Sequence, residues 1–431
     1  MQKGKTGLVW FGNNLRVRDN NALTLATSKH SRVIGIYCLD VERMKIEQYG
    51  FKKMGKFRAK FLLQTLQDLK NELEKLNIPL YLEKGSPITV IPKYCKEFQV
   101  DVIYYQEEFT AEEIEEINSL REKLPAHIDT VGSFDQFLFH PDDMPFQLDQ
   151  LPQVFTNFRK KVECNCTVLH ESIPNKLSTD TLVDGNRDIP SLNILGFDEV
   201  NIHPDTAFPF KGGSNSALDR VDHYFFQTQK LSEYKETRNG LIGADYSSKL
   251  SAWLANGSIS PKTIYWKVKQ FEKEYGSSSS SYWLIFELLW RDYFKYLALK
   301  HGNSLFKRNG ILNKPIPWKK DEMEITNWIE GKTEEPFVNA NMIELKKTGW
   351  MSNRGRQNVA SYFSKSLGLD WRIGAAYFEE MLIDYDVHSN YGNWQYVAGV
   401  GNDPRDRKFN VSFQAERYDP DGEYRKLWLQ S

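Results

Sequence analysis

Glu287 and Arg291 stand four residues apart, acid first, within YWLIFELLWRDYFKYLALK (282–300), a segment otherwise apolar on nearly every side apart from Asp292 and Lys295. On a helix that spacing puts both side chains on one face, where they form a structural ion pair or line a polar site inside an apolar body. Asp384, Asp386 and Asn390 in MLIDYDVHSNYGNWQY (381–396) come directly after the amphipathic stripe Trp371, Ala375, Phe378 and Leu382. Polar side chains at such a helix end cap backbone amides or hold a ligand. In YSSKLS (246–251) the hydroxyls of Ser247, Ser248 and Ser251 surround a lone Lys249, and hydroxyls beside free N–H groups at a helix start can hold a phosphate. WMSNRGRQN (350–358) sets Asn353, Arg354, Arg356 and Gln357 behind a tryptophan, a cluster as open to capping as to binding.

Two kinds of chain must position these groups. From residue 6 to about 133 the apolar runs TGLVWF, RVIGIYCL, PLYLEKG, VDVIYY and DTVGSF alternate with helical periodicity, which predicts an α/β domain (1–134) with an open, parallel, five-stranded sheet. Residues 55–76 place Phe61, Leu62, Thr65, Leu66, Leu69, Leu73 and Leu76 on one stripe, a surface helix covering that sheet. No strand-to-helix turn carries G-x-G-x-x-G or a P-loop, so the sheet does not name its ligand. Between 135 and 205 the periodicity is lost among prolines 141, 145, 152, 174, 190 and 204. This connector is expected to lie across the surface of the first domain, since a featureless loop of that length rarely crosses open solvent. From 206 to 431 the pattern predicts a large all-helical domain, with the serine run 277–281 as a cap or turn before the 282–300 helix.

Lysine plus arginine number 56 against 57 acidic residues, which excludes indiscriminate coating of nucleic acid and requires any such surface to come from local segregation of charge. Four cysteines, with Cys164 and Cys166 unmatched by a second cluster at zinc spacing, predict reduced thiols and no metal site. No stretch approaches a membrane span, and the N-terminus lacks a signal peptide's apolar region, so a cytoplasmic protein is expected.

In order and spacing, the segments WFGNNLRVRDNNAL (10–23), YSSKLSAWLANGSISP (246–261), FELLWRDYF (286–294), TGWMSNRGRQNVASYF (348–363) and LGLDWRIGAAYFEEMLIDYDVHSNYGNWQY (367–396) resemble the photolyase/cryptochrome family over essentially the whole chain. LPQVFTNFRKKVE (151–163) and GNDPRDRKFNVSFQAERYDPDGEYRKLWL (401–429) resemble its DASH branch. The resemblance implies a U-shaped FAD in the helical domain. Tyr234, Ser247, Ser248, Leu250 and Ser251 would contact its phosphates and ribityl chain. Glu287 and Arg291 would sit at the cavity and flavin edge, Asn353, Asp384 and Asp386 around the isoalloxazine and adenine, and Asn390 at flavin N5. Trp394, Trp371 and Trp318 match the family's electron relay, whereas Trp10 and Trp253 read as core.

The implied activity is blue-light reversal of cyclobutane pyrimidine dimers by electron transfer from reduced FAD, with the lesion extruded from its stack, as photolyases as a class require. Glu287 and Trp290 would contact the lesion, by hydrogen bonding and by stacking, with Asn390 beside the flavin as the third catalytic position. Arg238, Lys346, Lys347, Arg354, Arg356 and Arg407 would supply phosphate-binding charge. Tyr396 and Gln357 replace the second cavity Trp and the Met of duplex-acting members, which implies single-stranded DNA as the partner, and no obligate protein partner is implied. Near Asn353 the His pair of (6-4) photolyases is missing, and Gly12 and Asn14 replace the family's usual Arg and Asp. Glu108 matches a position that holds methenyltetrahydrofolate in related proteins. The competing expectation is a signalling photoreceptor, whose family members usually carry a C-terminal extension beyond the last motif, where this chain stops at Ser431.

Overall fold

The computed structural model describes residues 6–178, 188–403 and 405–430. Five strands, β1 (Thr6–Trp10), β2 (Arg32–Leu39), β3 (Leu80–Lys84), β4 (Val100–Gln106) and β5 (Asp129–Ser133), form one parallel sheet in the order β3-β2-β1-β4-β5. Their apolar runs are nearly continuous because helices cover both faces. Leu8, Ile34, Ile36 and Ile103 pack on one side with Ile91 and Leu120, and Val9, Val33 and Tyr104 pack on the other beneath Leu66, Leu69 and Leu73. Those leucines belong to the helix Lys56–Lys75, whose buried stripe also includes Phe61, Leu62 and Thr65, while Leu76 ends it as the C-cap. The order of the strands reverses at β1, and a crevice opens beyond the carboxyl ends of β1 and β4, where open α/β sheets bind ligands.

The connector departs from its expected course. Phe155, Phe158 and Val162 supply one buried stripe of a helix, Phe155–Asn165, too short for its period to stand out among the flanking prolines. That stripe joins the core of the helical half instead of lying on the sheet. The buried Asp292 carboxylate accepts from the Leu138 and Phe139 amides (2.9 and 3.1 Å), and Tyr296 Oη donates to the Phe139 carbonyl (2.7 Å). Only the later part of the connector returns to the sheet, where Leu177, Leu192, Leu195 and Val200 join its apolar layer.

The helical half is built around Ser279–His301, started by a reciprocal capping box between Ser278 and Ser281. Around it pack Pro336–Thr348, Asn353–Ser361, Trp371–Met381 and Val387–Ala398, capped respectively by a left-handed Gly349 at the C-terminus of the first and by the side chains of Ser352, Asp370 and Asp386 at the starts of the others. Among the described residues no helix is long and apolar enough to cross a membrane.

Candidate functional site

Three segments far apart in sequence meet at Asp384. Ser251 Oγ donates to its carboxylate (2.7 Å), and Arg356 Nη2 bonds both oxygens (2.9 and 3.0 Å) while Arg356 Nε donates to the Met351 carbonyl (2.9 Å). The guanidinium also lies over the Trp350 ring at 5.4 Å. Arg356, expected among the phosphate contacts, is thus the partner of a buried acid with part of its side chain still exposed. Leu250 and Tyr234 are buried nearby in the same core, and Lys249 is buried with no hydrogen-bond partner for its ammonium. Asn353, at the first turn of its helix, is exposed.

Glu287 and Arg291 do not pair with each other. Glu287 binds Arg238 (2.8 Å), whose charge opposes the upward push of burial on that carboxyl. Arg291 instead donates to the carbonyls of Gln136 and Leu254, tying the central helix to the connector and to Ser251–Ala255. One turn along from Glu287, Trp290 lies flat on Phe155, with ring centroids 3.7 Å apart, so the connector helix fills one of its faces. Tyr396 approaches the Trp290 ring edge-on at 5.9 Å and accepts a hydrogen bond from Arg407 (2.9 Å).

The other basic candidates are also engaged. Arg354 bonds Asn239 and Gln357 and lies over Tyr418, while Lys346 spends its charge on Glu330 beside Lys347 at the end of Pro336–Thr348.

The crevice above β1 and β4 is a cleft of about 610 Å³, lined by Trp10, Glu108, Gln136, Arg291, Lys295, Asp386 and His388 among others. Burial raises the Glu108 carboxyl to about 7, and the Lys295 ammonium only partly opposes it. Gln106 donates to Glu108 (2.7 Å). Burial would raise Asp386 too, but Lys295 at 2.9 Å together with His388 and Arg291 outweighs it and holds that carboxyl well below the usual range. An ammonium can only donate, so Lys295 Nζ donates to His388 Nδ1 (3.0 Å) and the imidazole proton lies on Nε2, which is buried without a partner. Burial and Lys295 together push His388 down to about 4, so the ring is neutral at pH 7. Sequence reading did not single out Lys295 or His388 as site residues; the one signal was Lys295 as a charge in an apolar helix. Trp10, expected in the core, packs partly buried against the core on one face of the sheet and also lines this cleft beside Tyr105.

Near β1 the substituted Asn14 accepts from the Gly12 amide (2.9 Å), and Arg16 carries the seam by donating to the carbonyls of Asp19, Asp135 and Gly257. Trp394 packs so closely on Gly374 that a Cβ there would fall 2.2 Å from the indole. Trp371 and Trp318 donate to the same carbonyl, that of Arg308 (3.1 and 3.3 Å), which brings their indole nitrogens to one point. Trp328, which sequence reading did not single out, is fully buried 6.2 Å from Trp394.

Residues 7–177 match the family described as DNA photolyase, and residues 283–431 match the FAD binding domain of DNA photolyase. A cryptochrome DASH of Gloeobacter violaceus is 46% identical over 428 residues, covering 99% of this chain and 85% of that protein. The chain belongs to the photolyase/cryptochrome family. Its place is on the cryptochrome DASH branch, and the crystal structure of a Synechocystis cryptochrome superposes with a TM-score of 0.94 at 43% identity, covering 100% of this chain and 89% of that one. An archaeal photolyase from Sulfolobus tokodaii, solved with two FAD molecules, superposes with a TM-score of 0.80 at 26% identity, covering 99% and 90%. As in the family, the helical half is an FAD-binding domain. The residues present suit that cofactor: a hydroxyl-rich turn stands beside the buried Lys249, whose Nζ makes no hydrogen bond and rests on the Tyr246 ring, donors of the kind a phosphate needs. Asn390 commits Nδ2 to the Ala375 carbonyl (3.0 Å), which keeps its Oδ1 as an acceptor.

Proposed function

We propose that this chain reverses cyclobutane pyrimidine dimers in single-stranded DNA under blue light. The observation that carries the reading is the group of Glu287, Trp290 and Tyr396, half-buried side chains with one arginine on Glu287 and another on Tyr396. An acid able to hydrogen-bond an imide edge, aromatic edges to contact a flat lesion and two cations for flanking phosphates are what such a substrate needs. Bound FAD, once reduced and excited, supplies the electron that opens the cyclobutane ring. Tyr234, Ser247, Ser248, Leu250 and Ser251 would hold its phosphates and ribityl chain, Arg291, Asn353, Asp384 and Asp386 would lie around its rings, and Asn390, whose Nδ2 is committed to the Ala375 carbonyl, would accept a hydrogen bond from the flavin through Oδ1. Trp394, Trp371 and Trp318 pass electrons inward, a role that the contact of Trp371 and Trp318 on one carbonyl, that of Arg308, supports for the outer pair.

Because Phe155 already occupies a face of Trp290, little stacking surface is left to offset extrusion of a dimer from a duplex, whereas a single strand demands less. The cleft at Glu108 suits a second, light-harvesting chromophore, methenyltetrahydrofolate, with Glu108 as its polar contact.

The test is repair of one defined thymine dimer in single-stranded and duplex oligonucleotides by chemically reduced protein at matched salt. Repair confined to the single strand is expected. Comparable duplex repair would remove Tyr396, Gln357 and the filled Trp290 face as determinants, and no repair of either by protein holding reduced flavin would favour a photoreceptor that signals without repair.

A further inference from the structure

Arg220, on the helix Ser214–Val221, has only 2% of its side chain exposed, yet it is the most heavily bonded group next to the hydroxyl-rich turn. Its Nε donates to the Ser248 carbonyl (3.0 Å), Nη2 to the carbonyls of Ser247 (2.9 Å) and Ala244 (3.2 Å), and Nη1 to Asp245 Oδ1 (2.7 Å). The rings of Phe210 and Tyr224 each lie 4.8 Å from its guanidinium carbon, so the planar fork is fixed in orientation as well as place. Burial lowers its affinity for protons, but the Asp245 carboxylate compensates its charge, and the fold keeps it as an ion pair.

The consequence is geometric. A peptide carbonyl and the following amide point in opposite directions, so drawing the carbonyls of 244, 247 and 248 onto one guanidinium turns the intervening N–H groups away from it. Among the described residues the amides of Ser247, Ser248 and Leu250 donate to no backbone carbonyl outside regular elements. Lys249 is left-handed (φ +63°) and Leu250 right-handed (φ −74°), the alternation that makes successive N–H groups converge on an anion. Lys249, 2% exposed at the same turn, makes no hydrogen bond through Nζ, which lies 3.0 Å from the Tyr246 ring centroid; burial lowers its pKa well below the ordinary lysine value, and an anion bound there would favour its charged form.

We propose that Arg220 is the positioning residue of the cofactor's pyrophosphate cradle, gathering the carbonyls of Ala244, Ser247 and Ser248 so that the amides of Ser247 to Leu250 and the hydroxyls of Ser247 and Ser248 face the anion. The proposal rests on the reading above that this turn holds the phosphates of FAD. Because Asp245 already answers its charge, Arg220 acts through the shape of its fork, and lysine cannot replace it.

Arg220→Met and Arg220→Lys test this in the full-length protein. FAD release from the holoprotein is followed by flavin fluorescence, and the stripped chain is then titrated with FAD and with riboflavin, which lacks both phosphates. Both variants are expected to bind FAD about ten- to hundredfold more weakly, the equivalent of one or two hydrogen bonds to a charged group, and riboflavin as the parent does. If the methionine variant does not fold, the lysine variant, which keeps stem and charge, carries the same comparison. Equal losses for FAD and riboflavin would make Arg220 a general core residue and overturn the proposal, as would parental FAD binding by either folded variant. A double Ser247→Ala/Ser248→Ala variant separates the two readings. If it binds FAD as the parent does, the cradle itself is wrong; if it weakens FAD while Arg220→Met does not, only the role of Arg220 falls.

Discussion

Replacing Glu108 with glutamine should stabilise the protein at pH 8 and leave it unchanged near pH 4.5. The Glu108 carboxyl ionises in the folded protein at about 7, against an ordinary value of 4.5, because burial penalises its charge more than Lys295 favours it. A carboxyl raised in this way contributes its full share of stability below 4.5, where it is neutral whether folded or not. The contribution is lost as pH climbs through 7, because the unfolded chain releases its proton first. At 1.36 kcal/mol per pH unit the rise from 4.5 to about 7 corresponds to about 3 kcal/mol at most. Glutamine keeps an oxygen for the Gln106 amide, which donates at 2.7 Å, but carries no proton to lose. Thermal melting of Glu108→Gln and parent, in one buffer series from pH 4.5 to 8, should give curves that coincide at the acid end. They should then separate, with the variant several degrees higher at pH 8, at about 2–4 °C per kcal/mol for a unit of this size. A constant offset at every pH would mean that Glu108 acts through packing alone, and a variant that loses ground as pH rises would refute the direction of its shift.

Three further outcomes follow from the geometry. Trp371→Phe should slow flavin photoreduction at a fixed concentration of external reductant, since it removes the indole that shares the Arg308 carbonyl with Trp318; an unchanged rate would break the proposed relay. Asn390→Ala removes the amide anchored on Ala375, and a measured shift in flavin reduction potential is expected, with no shift meaning that Oδ1 does not face the ring. Asp384→Asn leaves Arg356 half-buried without its acid, and the expected cost of about 3 kcal/mol should appear as a lower melting temperature and weaker FAD retention. Unaltered melting would show that the pair contributes nothing net.

Where hydrophobic period and length agree, the chain was legible. The RVIGIYCL run is β2 residue for residue, and the stripe from Phe61 to Leu73 is the buried side of its helix. The serine run read as a cap is a capping box. What escaped was pairing across the chain. Spacing put Glu287 and Arg291 on one helix face, but the partner of Glu287 lies 49 positions earlier, at Arg238, and Arg291 serves backbone carbonyls. Arg356 looked like a surface cation because its acid, Asp384, is nearby only after folding. His388 carried no signal, since its chemistry is set by Lys295 on another helix. Trp10 packs against the sheet core as read, but its second place, on the cleft wall, carried no signal because a strand end and a cleft wall share the same apolar sequence. The connector helix was missed because two turns of apolar period do not stand out between prolines.

The docking of the connector on the central helix bears on how this chain is made. Leu138 and Phe139 wait for Asp292, and Phe155 waits for Trp290, across intervals of more than 130 residues. At a synthesis rate of about 5–20 residues per second, the ribosome needs about 10 s to deliver those partners. For that interval the sheet can already be complete while the apolar side of Phe155, Phe158 and Val162 has nothing to cover it. The nascent chain therefore passes through a stage with an exposed sticky helix on an otherwise finished first half, and chaperone contact during synthesis should concentrate there.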